Sequence, residues 1–322
     1  MTIWGQDKAV EQFASAWATR KLHHAWLLAG AKGVGKASFA HAAARRVLAD
    51  AAGPASNLPG IATADDHPIV KLVEAGSHPD MRRLQRLESE KTGNLARNIN
   101  VGQVRSLSEL LDLSPAMSEW RVAVIDSADD LEPSAANALL KMLEEPPAKT
   151  LFFLVSHAPG RLLPTIRSRC RRLQFAKLGD DAMTSVLEAH TPDLSEAERK
   201  RIIAMSFGSA GRALAFAGLG LAKIEDAALA ILRNGDPANA RRSELAAELG
   251  KKAAADRYAA FLDLAPSLIA REARRLDGPR RERALDAYAK ARELAVIAPR
   301  LSLDPAATVF QIGGILAAVA EQ

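Results

Sequence analysis

Gly30-Ala31-Lys32-Gly33-Val34-Gly35-Lys36 is the stretch of this 322-residue sequence richest in chemistry. It follows an apolar run, Ala25–Ala29, and precedes an alanine-rich segment, so the order is strand, glycine-rich turn, helix. The spacing is that of the phosphate loop G-x-x-x-x-G-K-[ST] up to its last position. Glycines there let successive backbone N–H groups turn onto phosphate oxygens, and the helix N-terminus adds its dipole. Lys36 is placed to reach β and γ phosphates. Ala37 stands where a hydroxyl residue normally gives an oxygen to magnesium, and Ser38 comes one position too late. Gly30, Gly33, Gly35, Lys36 and Ala37 therefore form either a nucleotide site with a weakened metal position or a loop kept as architecture.

Two further residues carry chemistry. Asp126 ends the apolar run Arg121–Ile125, and a carboxylate at the end of a buried parallel strand is the usual partner of a phosphate loop. The next position, Ser127, has no carboxylate to polarise an attacking water. Arg169 lies in Ser168-Arg169-Cys170. A guanidinium is always charged and forks onto phosphate oxygens, so it suits a neighbour's γ-phosphate; alternatively it is a surface arginine among Arg167, Arg171 and Arg172.

The elements that must position these residues follow from periodicity and breakers. Ala9, Val10, Phe13, Ala16 and Trp17 share one face of a helix over residues 6–20. Expected next are a strand at 25–29, a helix at 39–49, a loop at 50–68, a helix end at 71–74 and a helix at 103–113. A strand at 121–126, a helix at 133–145 with proline in its first turn, and a strand at 151–155 follow. Residues 81–101 predict a hairpin, with a polar turn at 88–94 and with Arg82, Arg83, Arg86, Lys91 and Arg97 on it. Glu88 and Glu90 interleave, which favours a solvated face over a DNA track. Strands alternating with helices imply a parallel sheet covered on both faces. Beyond Phe175 only helical patterns remain. The expected division is an α/β domain at 1–176, a small helical domain at 177–220 and a helical bundle at 221–322.

Taken together, four features resemble the clamp-loader subunits of the AAA+ class: the phosphate loop, the Asp126 strand, the block Asn137–Pro147 (NALLKMLEEPP) and the Ser168-Arg169-Cys170 triplet. The resemblance extends to the delta-prime group of bacterial DNA polymerase III and covers residues 4–215. It implies an AAA+ α/β P-loop domain, a helical lid and a C-terminal all-α collar that oligomerises. It also implies membership in a heteropentamer with motor subunits of the gamma/tau type and a delta subunit. That assembly places a sliding clamp on primed DNA. By the same resemblance Arg169 is the arginine finger offered in trans to ATP on the neighbouring motor subunit, and Arg212, in Gly208–Leu214, falls at the nucleotide-sensing position of the lid. Ala37 and Ser127 agree with a member that does not hydrolyse ATP, while Gly30, Gly35 and Lys36 leave weak ATP or ADP binding as an expectation. Many relatives carry a four-cysteine zinc module at about residues 50–79; this sequence has no cysteine there, and no zinc is expected.

Composition is that of a globular protein, 48% apolar and 25% charged, with a net charge of +5. So small an excess permits acidic partners without demanding them, which disfavours a DNA-binding module acting alone. One cysteine, Cys170, excludes an intrachain disulfide and fits a reducing cytoplasm. Neither a signal pattern at Met1–Gln6 nor an apolar run of membrane length is present. A self-sufficient AAA+ ATPase stays open as the alternative. It needs a metal hydroxyl and a catalytic carboxylate at the two positions occupied by Ala37 and Ser127.

Overall fold

The computed structural model describes residues 2–88 and 95–320. Their contacts divide the chain into two compact units, one of residues 1–186 with 208–211, the other of residues 187–207 with 212–322.

The first unit is an α/β domain. Its strands are β1 (Ala25–Ala29), β2 (Met81–Leu84), β3 (Arg121–Asp126), β4 (Thr150–Ser156) and β5 (Arg171–Gln174). They form one sheet in the order β2-β3-β4-β1-β5, all parallel. Every residue of β1 and β4 is buried, as a parallel strand covered on both faces requires. Side chains alternate between the faces. Trp26, Leu28, Val122, Val124 and Phe153 pack under α1 (Asp7–Ala18) and α2 (Lys36–Ala52). Leu27, Ala123, Ile125, Phe152 and Leu154 pack under α4 (Val101–Asp112) and α5 (Pro133–Glu144). A short helix, α3 (Pro68–Glu74), follows α2, and α6 (Pro164–Ser168) precedes β5. On the α1–α2 face Phe13 meets Trp26, Phe39 and Phe153 with centroids 5.3, 5.9 and 5.4 Å apart. Such pairs add about 0.5–1.5 kcal/mol each beyond the area they bury.

Local signals explain where elements begin and stop. Gly35, at φ +94°, is the N-cap of α2, so the loop passes directly into the helix. Asn100 and Gln103 form a capping box at the start of α4. Pro133 opens α5, and Pro146-Pro147 follow its end. Residues 50–66 carry little regular structure and are organised by arginines of α2. Arg46 bonds Asp50 and the carbonyls of Ser56, Leu58 and Ala62, while Arg45 pairs with Glu74 and Asp65.

The expected hairpin is corrected. Met81–Leu84 runs parallel to β3 as the edge strand of the sheet, and residues 97–101 form no return strand. Ile99 makes only an isolated parallel bridge to Leu131, and Val101 opens α4. A single antiparallel bridge, Glu88 to Leu95, flanks the expected turn, whose residues 89–94, Glu90 and Lys91 included, lie outside the described residues. The edge strand won because Leu84 and the backbone of β2 find partners in the sheet that a free hairpin lacks. Arg83 and Arg86 keep 48% and 37% of their side-chain surface in solvent, in keeping with a solvated face, while pairing with Asp126 and Asp130.

Helices α7 (Asp180–His190) and α9 (Ala210–Phe216) cross between the units. Among its described residues the regular elements of the second unit are all helical, chiefly α8 (Glu196–Ser206), α10 (Ala222–Asn234), α11 (Ala240–Leu249), α12 (Ala255–Ala273), α13 (Gly278–Leu301) and α14 (Pro305–Ala317). Its interior is Ile231, Leu232, Phe261, Leu264, Leu268, Ile312 and Leu316. Arg201 and Arg271 converge on the buried Glu225, at 3.0 and 3.2 Å. Arg271 is thus a structural partner within this unit. Among the described residues no helix is long and apolar enough to cross a membrane.

Candidate functional site

The phosphate loop leaves β1 at the C-terminal edge of the sheet. The Gly30 N–H donates to the Ser156 carbonyl at the end of β4, 3.3 Å away. A Cβ on Gly30 would lie 2.5 Å from the Phe175 carbonyl oxygen, so only glycine fits there. Gly33 and Gly35 have φ of +76° and +94°, where other residues are strained. Lys36 begins α2 and bends back over the loop: its ammonium donates to the carbonyls of Gly30, at 2.7 Å, and Ala31. The side chain is almost wholly enclosed. Burial lowers its pKa from 10.5 to about 8, and the carboxylates of Asp129 and Asp126 oppose that shift. Ala37, in the first turn of α2, offers a methyl group where a metal would need a hydroxyl oxygen.

Three carboxylates lie at the end of β3 or just after it, and each is engaged by the protein. Asp126 pairs with Arg83 of the edge strand at 2.5 Å. Register explains this contact. Arg83 lies opposite Val124, and Val124 and Asp126 share a face because side chains alternate along a strand. Asp129 accepts from the Ser156 hydroxyl at 2.9 Å and from the backbone N–H groups of His157 and Ala158 at 2.5 and 3.1 Å. Asp130 accepts from the Ser127 hydroxyl at 3.2 Å and pairs with Arg86 at 3.3 Å. Desolvation, with the nearby Lys36 as the second cause, holds the His157 imidazole below its ordinary range. A neutral imidazole adds no charge to the loop mouth at neutral pH.

Arg169 lies at the other edge. Strand register sets Trp26 beside Arg171, so Arg169 precedes the sheet, whereas Gly30 follows it. At about 3.3 Å per residue, the levels of Arg171 and Gly30 are about 13 Å apart, and Arg169 lies farther still. α5 runs back across the sheet and ends at the same edge. Its last residue, Glu144, holds the Arg169 guanidinium at 2.8 Å, and the Thr165 carbonyl accepts from it at 3.1 Å. The side chain remains 35% exposed. Neighbouring Cys170 packs against the core beneath α5 and α6, and burial pushes its thiol up to about 12, which makes it a structural residue.

Arg212 belongs to the second unit. It forks onto both carboxylate oxygens of Asp263 on α12, at 2.9 and 3.0 Å, and donates to the Ser267 hydroxyl at 3.0 Å. Three histidines bond backbone groups of the protein. His24 contacts the Leu143 carbonyl, and His67 and His78 accept from the backbone N–H groups of Ile69 and Asp80.

Of the expected residues, the structure gathers Gly30, Gly33, Gly35, Lys36, Ala37 and Asp126 at the C-terminal edge and sets Arg169 at the opposite edge. Asp129 and Glu144 had no role in the sequence reading, and Arg83 appeared there only among the arginines of the expected hairpin. Glu144 lies inside the block Asn137–Pro147, and Asp129 follows Asp126 by three positions, so both had a local signal. Arg83 had none, because its partner is 43 positions away and reached only through sheet register.

A parallel five-stranded sheet, a phosphate loop after β1, an acidic end to β3 and a helical C-terminal region define an AAA+ P-loop fold. Residues 5–179 match the family described as DNA polymerase III, delta subunit, and the chain belongs to that family. It is 34% identical over 186 residues to the DNA polymerase III subunit delta' of Pseudomonas aeruginosa, covering 58% of this chain and 53% of that protein. Against the delta' subunit of Escherichia coli it is 31% identical over 205 residues, covering 64% and 58%. Against the DNA polymerase III subunit tau of Bacillus subtilis it is 27% identical over 238 residues, covering 70% and 39%. The matched stretch thus spans little more than half the length of the two delta' relatives.

Proposed function

We propose that this chain is a delta-prime-type clamp-loader subunit of DNA polymerase III, defective in hydrolysis itself, that presents Arg169 to ATP held by a neighbouring subunit. The observation that carries this is the placement of Arg169 at the edge of the sheet opposite its own phosphate loop, where no nucleotide of this chain is within its reach. Ala37 and Ser127 support the other half: neither position supplies what a hydrolysing P-loop site needs. The partners are motor subunits of the gamma/tau type and a delta subunit in a heteropentamer, with the sliding clamp and primed DNA engaged through the complex. Residues 177–220 serve as a lid, with Arg212 at its sensing position, and residues 221–322 as the oligomerising collar. ATP or ADP binds this chain's own loop weakly, and its Asp50–Pro79 segment takes no zinc.

The test is ATP turnover by the reconstituted complex with clamp and primed DNA. Arg169→Ala is expected to lower stimulated turnover by about 10³-fold, the lower end of what arginine fingers contribute. Unchanged turnover would remove Arg169 from the mechanism. Lys36-dependent ATP hydrolysis by the isolated chain would instead favour a self-sufficient ATPase.

A further inference from the structure

Magnesium does not fit the loop mouth of this chain. The ion asks for near-octahedral oxygen ligands, usually one or two carboxylates together with substrate phosphates and waters. Ala37 has no oxygen to give. Ser127 spends its hydroxyl on Asp130, and Asp129 accepts three donors that tie the end of β4 to the turn after β3. Asp126 alone has the place and charge for the ion, and its carboxylate already holds a cation, the guanidinium of Arg83.

We propose that Arg83 is the resident cation of this site: its guanidinium already neutralises the one carboxylate free to hold a magnesium ion, Asp126, and phosphate binding by Gly30–Lys36 is therefore independent of divalent cations. The ligand class is a nucleoside di- or triphosphate without its metal. Lys36 and the loop N–H groups meet the phosphates, and Arg83 supplies the fixed positive charge that Asp126 holds. Arg83 can do this because it is fixed at its base by the β2–β3 register while its side chain remains half-exposed, at 48%. A metal would have to displace an ion pair 2.5 Å long and would gain no hydroxyl ligand in return. None of this depends on the role of Arg169 toward a neighbouring subunit, since the two residues lie at opposite edges of the sheet.

The experiment measures ADP binding by calorimetry on the full chain, in excess magnesium and in excess EDTA. Wild type, Ala37→Thr, Arg83→Gln and the double variant Ala37→Thr/Arg83→Gln are compared. Wild type and Ala37→Thr are expected to bind ADP equally well in both buffers. The double variant is expected to bind at least about tenfold more tightly with magnesium, the scale on which groups around a metal tune its affinity. Manganese alone, followed by its paramagnetic resonance signal, is expected to bind the double variant but not wild type. Magnesium-dependent binding by wild type or by Ala37→Thr would overturn the proposal. So would a double variant that shows no metal dependence, including one that binds no ADP in either buffer. Arg83→Met in the Ala37→Thr background repeats the comparison should the glutamine variant not fold.

Discussion

The two edges of the parallel sheet are opposites in how their charges are spent. At the C-terminal edge the protein satisfies itself: Lys36 bonds the carbonyls of its own loop, Asp126 holds Arg83, and Asp129 ties β4 to the turn after β3. At the N-terminal edge Arg169 is held by one carboxylate and one carbonyl and keeps a third of its surface in solvent. A group that works on a ligand must have interactions left to give. By that criterion the groups of the phosphate loop itself are the more fully engaged, and Arg169 has interactions left to give.

The most direct way to break this contrast is to substitute both edges and read one activity. In the reconstituted complex, Arg169→Lys keeps the charge but loses the planar fork, and stimulated turnover is expected to fall by at least about a hundredfold. Lys36→Ala in the same complex is expected to change turnover by no more than about twofold, far below what a lysine on a reacting phosphate contributes. Equal losses from the two variants would mean that both edges work on nucleotide.

How far these edges could be read beforehand depends on how local each signal is. Ala25–Ala29 and Arg121–Asp126 were legible to the residue as strands, because an unbroken apolar run ending in glycine or in a carboxylate has few other uses. Helix α2 was read to begin at Phe39 and in fact starts at Lys36, since Gly35 caps it directly. Met81–Leu84 was legible as extended but not as parallel. Two arginines in four residues read as an exposed hairpin, and the partner strand lies about 40 positions on. The candidate residues divide the same way. Lys36 announces itself by motif spacing and Arg169 only by the resemblance its Ser-Arg-Cys triplet carries, whereas the contacts Arg83–Asp126 and Glu144–Arg169 are set by register and helix length, which no short window contains.

The enclosure of Lys36 sharpens the same contrast through pH. Its folded pKa, near 8, lies below the ordinary 10.5, so between those values the unfolded chain binds more protons than the folded one. Stability then rises with pH across that window and is lowest below it, where the enclosed lysine must stay charged. Lys36→Met removes this dependence. Urea unfolding at about pH 7.5 and about pH 9.5 should show the wild type gaining about 1–3 kcal/mol relative to the variant. Parallel curves for the two proteins would mean that Lys36 is solvated, and that the C-terminal edge is as open as the other.

The smallest effect concerns what holds Arg169 in place. Glu144 ends α5 and lies 2.8 Å from the guanidinium, but both side chains are partly in solvent, so the pair itself contributes no more than about 1 kcal/mol. Its value is orientation. An arginine has three rotatable bonds beyond its Cβ, and a carboxylate on one guanidinium nitrogen leaves the rest of the fork aimed in fewer directions. Glu144→Gln keeps the shape and an acceptor oxygen while removing the charge. It is expected to lower stimulated turnover of the complex by about fivefold, the equivalent of that 1 kcal/mol. Acting only through the arginine, it should add nothing in the Arg169→Ala background, where a double-mutant cycle reads the coupling. Independent losses would give Glu144 a contact of its own with the neighbouring subunit. A rise in turnover would show that Glu144 restrains Arg169 from its target rather than aiming it.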